Sequence, residues 1–193
     1  FNGEEVQIAA PRDAIRHKIG HVTAERKFNG LILGHSVERN LVLADYGRLS
    51  RGPFISYAKE KAVGERWIGR LGVKTPSANA LVGSLSGGNQ QKVVIGKWLQ
   101  IAPKLLLLNE PTRGVDVGAK QEIFDIIQQQ CREGMAVLMI SSDMLEMLNM
   151  ADRIYTVFEG RLTAEFNGKD ATQVKLMMAS IDRYKENEEY AEN

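Results

Sequence analysis

Read from its start, the chain offers two short apolar stretches, Val6 to Ala10 and Ile19 to Thr23, with turn signals at Asn2-Gly3 and Asn29-Gly30. From about residue 34 to 100 the pattern is mostly helical. Ser36 is placed to cap a helix that runs through Val37 and Leu41. Val63, Trp67, Ile68 and Leu71 fall on one stripe, which Gly72 and Pro76 stop. A third helix is expected to start at Ser86 and to carry Val93, Val94, Trp98 and Leu99 inward, with both tryptophans in the core.

From Leu105 the pattern changes. Leu105 to Leu108 is an uninterrupted apolar run, expected for a strand covered on both faces. Ala119, Ile123, Ile126 and Ile127 recur at helical spacing. Met135 to Ile140 and Ile154 to Phe158 then read as second and third strands, with Glu159-Gly160 turning the chain towards Leu162 to Phe166. Strand, helix and strand in this order predict a parallel α/β layer. The end, Asp182 to Asn193, reads as a charged tail.

Composition narrows the classes. With 193 residues, 44% hydrophobic and 25% charged, the chain has the make-up of a globular domain with one sizeable core. A net charge of +1 argues against a strongly basic nucleic-acid footprint. The single cysteine, Cys131, allows no internal disulfide. No apolar run approaches the ~20 residues that span a bilayer. Phe1-Asn2-Gly3-Glu4-Glu5 has no basic flank or apolar h-region, so the expectation is an intracellular chain. His17, His21 and His35 stand at no metal-ligand spacing.

Two segments carry chemistry. In Leu85-Ser86-Gly87-Gly88-Asn89-Gln90, a serine and two glycines at a helix start leave backbone N–H groups unpaired and unobstructed, and the helix dipole adds positive charge there. Such a start binds an anion such as a γ-phosphate; an ordinary capped turn is the other reading of this segment taken alone. In Asn109-Glu110-Pro111-Thr112 a carboxylate ends a buried strand, where ligands of parallel sheets collect, and Glu110 there can orient and deprotonate a water.

Together these segments resemble the ATP-binding-cassette (ABC) ATPases. Leu85 to Lys92 resembles the signature motif, Leu105 to Glu110 the Walker B strand with its catalytic glutamate, and Gly114 to Gly118, with Asp116, the D-loop. Ala151-Asp152-Arg153-Ile154 and Glu159-Gly160-Arg161-Leu162 match strands that close the family domain. The string Ser-Gly-Gly-Asn-Gln-Gln-Lys, followed by Glu-Pro-Thr-Arg-Gly-Val-Asp-Val-Gly-Ala, is similar to the C-terminal half of the ATPase subunits that drive ribose-, galactose- and xylose-type uptake.

The resemblance implies an α/β P-loop NTPase cassette with a RecA-like parallel sheet and a helical subdomain. A partial nucleotide-binding domain over residues 1–181 would divide into the helical subdomain at about 34–100 and a Walker B and D-loop part at about 101–166. It also implies ATP and Mg2+ as cofactors, with Ser86, Gly87, Gly88, Gln90, Asp116 and Ser142 as nucleotide-site residues, Glu110 as catalytic base and Asn109 at the metal position. The implied partners are a second cassette, a membrane permease and, indirectly, a sugar-binding protein, with no nucleic acid; the implied place is the inner face of the cell membrane.

Departures from the family pattern matter as much. No Gly-x-x-x-x-Gly-Lys-[Ser/Thr] occurs, so the expectation is a cassette truncated at its N-terminal side, with Phe1-Asn2-Gly3 resembling the turn that follows the phosphate loop. Gly64 to Gly69 and Gly83 to Gly88 have the glycine spacing only; Arg70-Leu71 and Asn89-Gln90 follow them. The Walker B aspartate position reads Asn109, the Q-loop glutamine position falls at about Ala24 beside Glu25, and the switch histidine position reads Ser142. A chain with an intact signature and a weakened site of its own is expected to complete a partner's ATP site. An inert or regulatory remnant, and a non-transport ABC ATPase acting on DNA or the ribosome, are the alternatives.

Overall fold

The computed structural model describes residues 1–51 and 54–181, so the charged tail expected at 182–193 lies outside the described residues. In chain order the elements are α1 (Pro11–Arg16), β1 (Ile19–Val22), α2 (Val37–Val42), α3 (Tyr46–Leu49), β2 (Ser50–Arg51), β3 (Phe54–Ile55), α4 (Tyr57–Leu71), α5 (Gly87–Leu99), β4 (Leu105–Asn109), α6 (Val117–Arg132), β5 (Ala136–Ile140), α7 (Met144–Met150), β6 (Arg153–Phe158), β7 (Arg161–Asn167) and α8 (Gln173–Ala179). They form two compact units, Phe1–Ile140 and Ser141–Asn193.

The first unit is built on a parallel sheet of order β1-β4-β5, with Ile19 opposite Leu105 and Leu105 opposite Ala136. Val6 to Ala10 forms no strand. It leads into α1, where Pro11 takes the first helical turn and the Asp13 carboxylate accepts the Ala10 N–H at 3.0 Å. Ser36 caps α2 as expected, accepting the Arg39 N–H at 3.3 Å. Helix α4 ends at Gly72, whose φ of 57° is left-handed and therefore suits glycine. It packs on α2 through Gly64, where a Cβ would come within 2.9 Å of the Glu38 Cα. Trp67 is 5% exposed, whereas Trp98 is only half-buried, with the Lys97 ammonium 5.2 Å from its ring centre.

Helix α5 departs furthest from a one-sided pattern, because almost every residue from Gly88 to Leu99 is buried, lysines and glutamines included. Lys92 donates to the Gly72 carbonyl at 2.9 Å and pairs with Glu122 of α6 at 2.5 Å; Lys97 donates to the Gly30 carbonyl at 2.7 Å. Burial holds the Lys97 amine below the usual lysine range.

Two expectations need correction. Leu105 to Leu108 is not covered equally on both faces: Leu106 and Leu108 are buried, whereas Leu105 and Leu107 are half-buried. Across the register Leu138 and Ile140 are 57% and 60% exposed. An unbroken apolar run cannot report this, because it reads alike whether one face is covered or two. Nor does Ile154 to Phe158 join the parallel layer. It pairs antiparallel with β7 in the second unit, because Glu159 and Gly160 both have positive φ, 46° and 77°, and such a tight turn returns the chain directly alongside. Ile154, Phe166, Leu176 and Ala179 form the core of that unit, with Met144, Met147 and Leu148 packed against it.

Among the described residues strand β5 is the edge of its sheet. The Ala136 N–H donates to Lys104 and the Ile140 carbonyl accepts from Glu110, so in a parallel ladder the N–H and C=O of Val137 and Met139 point away from β4. An apolar edge with outward backbone groups templates pairing with another chain. The 193-residue chain is therefore expected to associate with rising concentration in sedimentation velocity, and Leu138→Lys to hold it monomeric. Monomeric wild-type behaviour at high concentration would refute this.

Two carboxylates give opposite pH dependences. The Lys92 hydrogen bond and charge hold Glu122 below the usual 4.5, whereas burial and then the Glu60 charge push Glu38 above it. A depressed carboxylate contributes stability above its unfolded pKa, and loses it as pH falls through the folded value. Glu122→Gln is thus expected to cost about 1 kcal/mol at pH 7, discounted because the carboxylate is partly exposed, with the difference vanishing below pH 4.5. Glu38→Gln is expected to stabilise at pH 7, its gain fading towards acid as the native carboxyl takes up its proton. Urea melts across the pH range check both signs.

Candidate functional site

Ser86 occupies the N-cap position of α5 with extended backbone, but its hydroxyl does not cap the helix. It accepts the Asn89 amide at 2.9 Å, while the Asn89 carbonyl accepts the Lys74 N–H at 2.8 Å. The first-turn N–H groups of α5 are thus left to other acceptors. The two glycines are required by packing as well as by ligand access. A Cβ on Gly87 would meet the Arg26 Nη2 at 2.7 Å and the Gly114 carbonyl at 2.9 Å, and one on Gly88 would overlap Ala119 of α6. Only glycines let the starts of the two helices approach so closely.

Asp116 caps α6, its Oδ1 accepting the Ala119 N–H at 3.0 Å. Ser86, Gly88, Asn89, Lys92, Asp116 and Glu122 line one cleft of about 200 Å³. Positive charge there comes from two helix N-termini and from the ammonium groups of Lys74 and Lys92; Asp116 and Glu122 oppose it. Such a mixture suits an anion that approaches along the exposed Ser86 side more than one that enters deeply.

Glu110 ends β4 with a φ of 48°, in the left-handed region that non-glycine residues seldom adopt. Its N–H donates to Ile140 at 2.8 Å and its carbonyl accepts the Arg113 N–H at 3.2 Å, so the last ladder bond and a tight turn meet at this residue. Thr112 is buried below the turn. Asn109, opposite Ile140, presents a neutral amide. Among the described residues no three His, Cys, Asp or Glu side chains gather to hold a metal.

Gln90 does not line this cleft. Gln90 is 3% exposed, and its amide donates to the carbonyls of Val82 at 3.3 Å and Gly83 at 3.4 Å, fixing the loop before α5. Ser142 is exposed at the start of the second unit, where the neighbouring Ser141 hydroxyl donates to Glu146 at 2.9 Å. Motif reading missed Arg26, Arg113 and Glu122. Arg26 donates to the carbonyls of Arg113 at 2.6 Å and Gly114 at 3.2 Å, and Arg113 pairs with Glu25 at 2.9 Å. A sequence signal for Glu122 is Lys92 directly before the apolar Val93-Val94-Ile95, a cation that needs an acid if the helix is buried.

Comparison with known proteins extends these observations. The family model described as "ABC transporter" matches residues 1–113. The ribose import ATP-binding protein RbsA of Yersinia pestis is 44% identical over 177 residues, which cover 92% of this chain and 35% of that protein. RbsA of Bacillus cereus is 46% identical, with 92% and 36% covered. A putative ribose/galactose/methyl galactoside import ATP-binding protein of Rhizobium etli is 44% identical, with 92% and 34% covered. The chain spans about a third of the length of these curated relatives.

Solved cassettes share the fold. The dimeric structure of MJ0796, a bacterial ABC transporter cassette, has a TM-score of 0.65 at 24% identity, covering 79% of this chain and 63% of that one. MJ1267, another ABC transporter cassette, has a TM-score of 0.70 at 23% identity, covering 91% and 72%. Both are mixed α/β comparisons at the level of fold. With a parallel sheet that ends in Glu110, a Ser-Gly-Gly helix start set against Asp116, and a family match over more than half of its length, the chain belongs to the ABC transporter family.

Proposed function

We propose that this chain contributes the signature half of a composite ATP site in a sugar-import ABC transporter, facing the phosphate loop of a second cassette. The observation that carries the reading is the cleft where Ser86 and Gly88, at the start of α5, meet Asp116, at the start of α6. The feature these 193 residues offer a nucleotide is the Ser86–Gly88 start of α5, suited to closing over a phosphate. The likeness to ribose import ATP-binding proteins supports sugar uptake as the process.

In this reading the N–H groups of Ser86, Gly87 and Gly88 hold the γ-phosphate of the partner's ATP, and Mg2+ belongs to that partner's site. The ion, when bound there, screens phosphate charge. Asp116, on the rim of the same cleft, links the two sites across the interface. Glu110 is the candidate base, carried at the sheet end, and Ser142 stands at the switch position. Gln90 acts by holding the loop at Val82 and Gly83. A permease at the inner membrane face, served by a sugar-binding protein, is the implied assembly. Among the described residues no helix is long and apolar enough to cross a membrane.

An inert cassette remnant is the second reading, favoured by the neutral Asn109. Pairing separates the two. The chain alone is expected to bind ATP with a Kd of about 1 mM or weaker, unchanged by Mg2+. Mixed with an intact sugar-import cassette, it should pair in an ATP-dependent manner and raise hydrolysis. Ser86→Glu, an exposed position, should lower that stimulation by about 10- to 100-fold through repulsion of the phosphate. Tight Mg-dependent binding by the chain alone would defeat signature donation, and absence of pairing would favour the remnant.

A further inference from the structure

We infer that Arg26 is a positioning residue that makes the start of α5 and the turn leading to Asp116 a single cooperative unit; its functional consequence rests on the composite-site reading above. The guanidinium crosses from the segment after β1 and donates from Nη1 to the Arg113 carbonyl at 2.6 Å and from Nη2 to the Gly114 carbonyl at 3.2 Å. It also lies over Gly87, close enough that a Cβ there would meet Nη2 at 2.7 Å and the Gly114 carbonyl at 2.9 Å. One planar group therefore touches the helix start and the polar turn together. Gly114 has a φ of 66°, a conformation that glycine tolerates, and this lets the turn present two successive carbonyls to one fork.

The bond is returned from the other side. Arg113 donates to the Glu25 carboxylate at 2.9 Å, so adjacent residues of the first segment hold adjacent residues of the second. The segment carrying Arg26 is itself anchored to α5. It forms one π-helical turn, Arg26–Gly30, whose last carbonyl accepts the buried Lys97 ammonium at 2.7 Å. The chain after β1 is thus bonded near the end of the helix whose start its guanidinium packs against. Displacing it moves Ser86–Gly88 and Asp116 together, and fixing it presents both groups in one geometry.

A fork that reaches two carbonyls cannot be replaced by a point charge. In Arg26→Lys the amide exchange of residues 85–92 and 113–119 is expected to quicken in concert by about tenfold, while that of the β6–β7 hairpin is unchanged. Exchanging the pair, Glu25→Arg with Arg113→Glu, should restore most of the protection that either single change removes. With a partner cassette, Arg26→Lys should lower kcat about tenfold and leave KM for ATP unaltered, because placement rather than nucleotide affinity is lost. Separate responses of the two segments, or none, would overturn the inference. If the unaltered chain fails to stimulate a partner, the composite-site reading falls, and the exchange experiment on the chain alone still decides the role of Arg26.

Discussion

The burial of α5 on nearly every side is the constraint on which the first unit depends. A helix so enclosed has no solvent face for its polar residues, and a buried amide or ammonium without a partner is costly. Gln90, Lys92 and Lys97 each reach a backbone carbonyl in a different segment: Val82 and Gly83 before the helix, Gly72 at the end of α4, and Gly30 after β1. These bonds tie three loops to one helix, while the Gln90 Oε1 stays without a hydrogen-bond partner. Lys92 adds Glu122 and so joins α4, α5 and α6 through one ammonium. Removing either partner of such a contact harms the fold more than the contact itself stabilises it.

The same crowding shapes the candidate site. Gly87 and Gly88 would be explained by access of a phosphate to bare N–H groups, and equally by the approach of Arg26, the Gly114 carbonyl and Ala119. Both demands select the same residue for different reasons: one for a ligand, one for packing. The site is therefore assembled by the helix starts rather than by a long loop. Its charge balance follows from that assembly, two positive helix ends and two lysines set against Asp116 and Glu122. Glu110 follows another logic. Its left-handed backbone lets β4 keep its last ladder bond to Ile140 while the chain turns away towards Thr112.

Some of this was legible in the residues. Ser36, Gly72 and the stripe from Val63 to Leu71 mark their helix ends and faces by local rules, because caps and periodicity act within a turn or two of chain. The Ser-Gly-Gly start and the leucine strand ending in a carboxylate pointed to an α/β cassette fold, which the parallel sheet and the family match bear out. Local rules stopped where distance began. Of the two short apolar stretches at the start, Ile19 to Val22 became a strand and Val6 to Ala10 did not, since a strand needs a neighbour to pair with. Ile154 to Phe158 looked like another parallel strand, but the Glu159-Gly160 turn outweighed the order of elements. Gln90, expected among the nucleotide-site residues, also donates to the loop at Val82 and Gly83, which residue order does not reveal.

The sequence by itself determined the family, the positions of the strands and helices that carry its motifs, and the neutral residue at Asn109, because these are properties of residue order and identity. Tertiary structure alone decided which faces of the sheet are covered and which carbonyls receive the buried lysines. It also decided that Arg26, Gly87 and Gly114 meet. Those outcomes depend on which segments, 20 to 88 residues apart, come within a hydrogen bond of each other. No local preference encodes that distance; only the packing of the whole unit does.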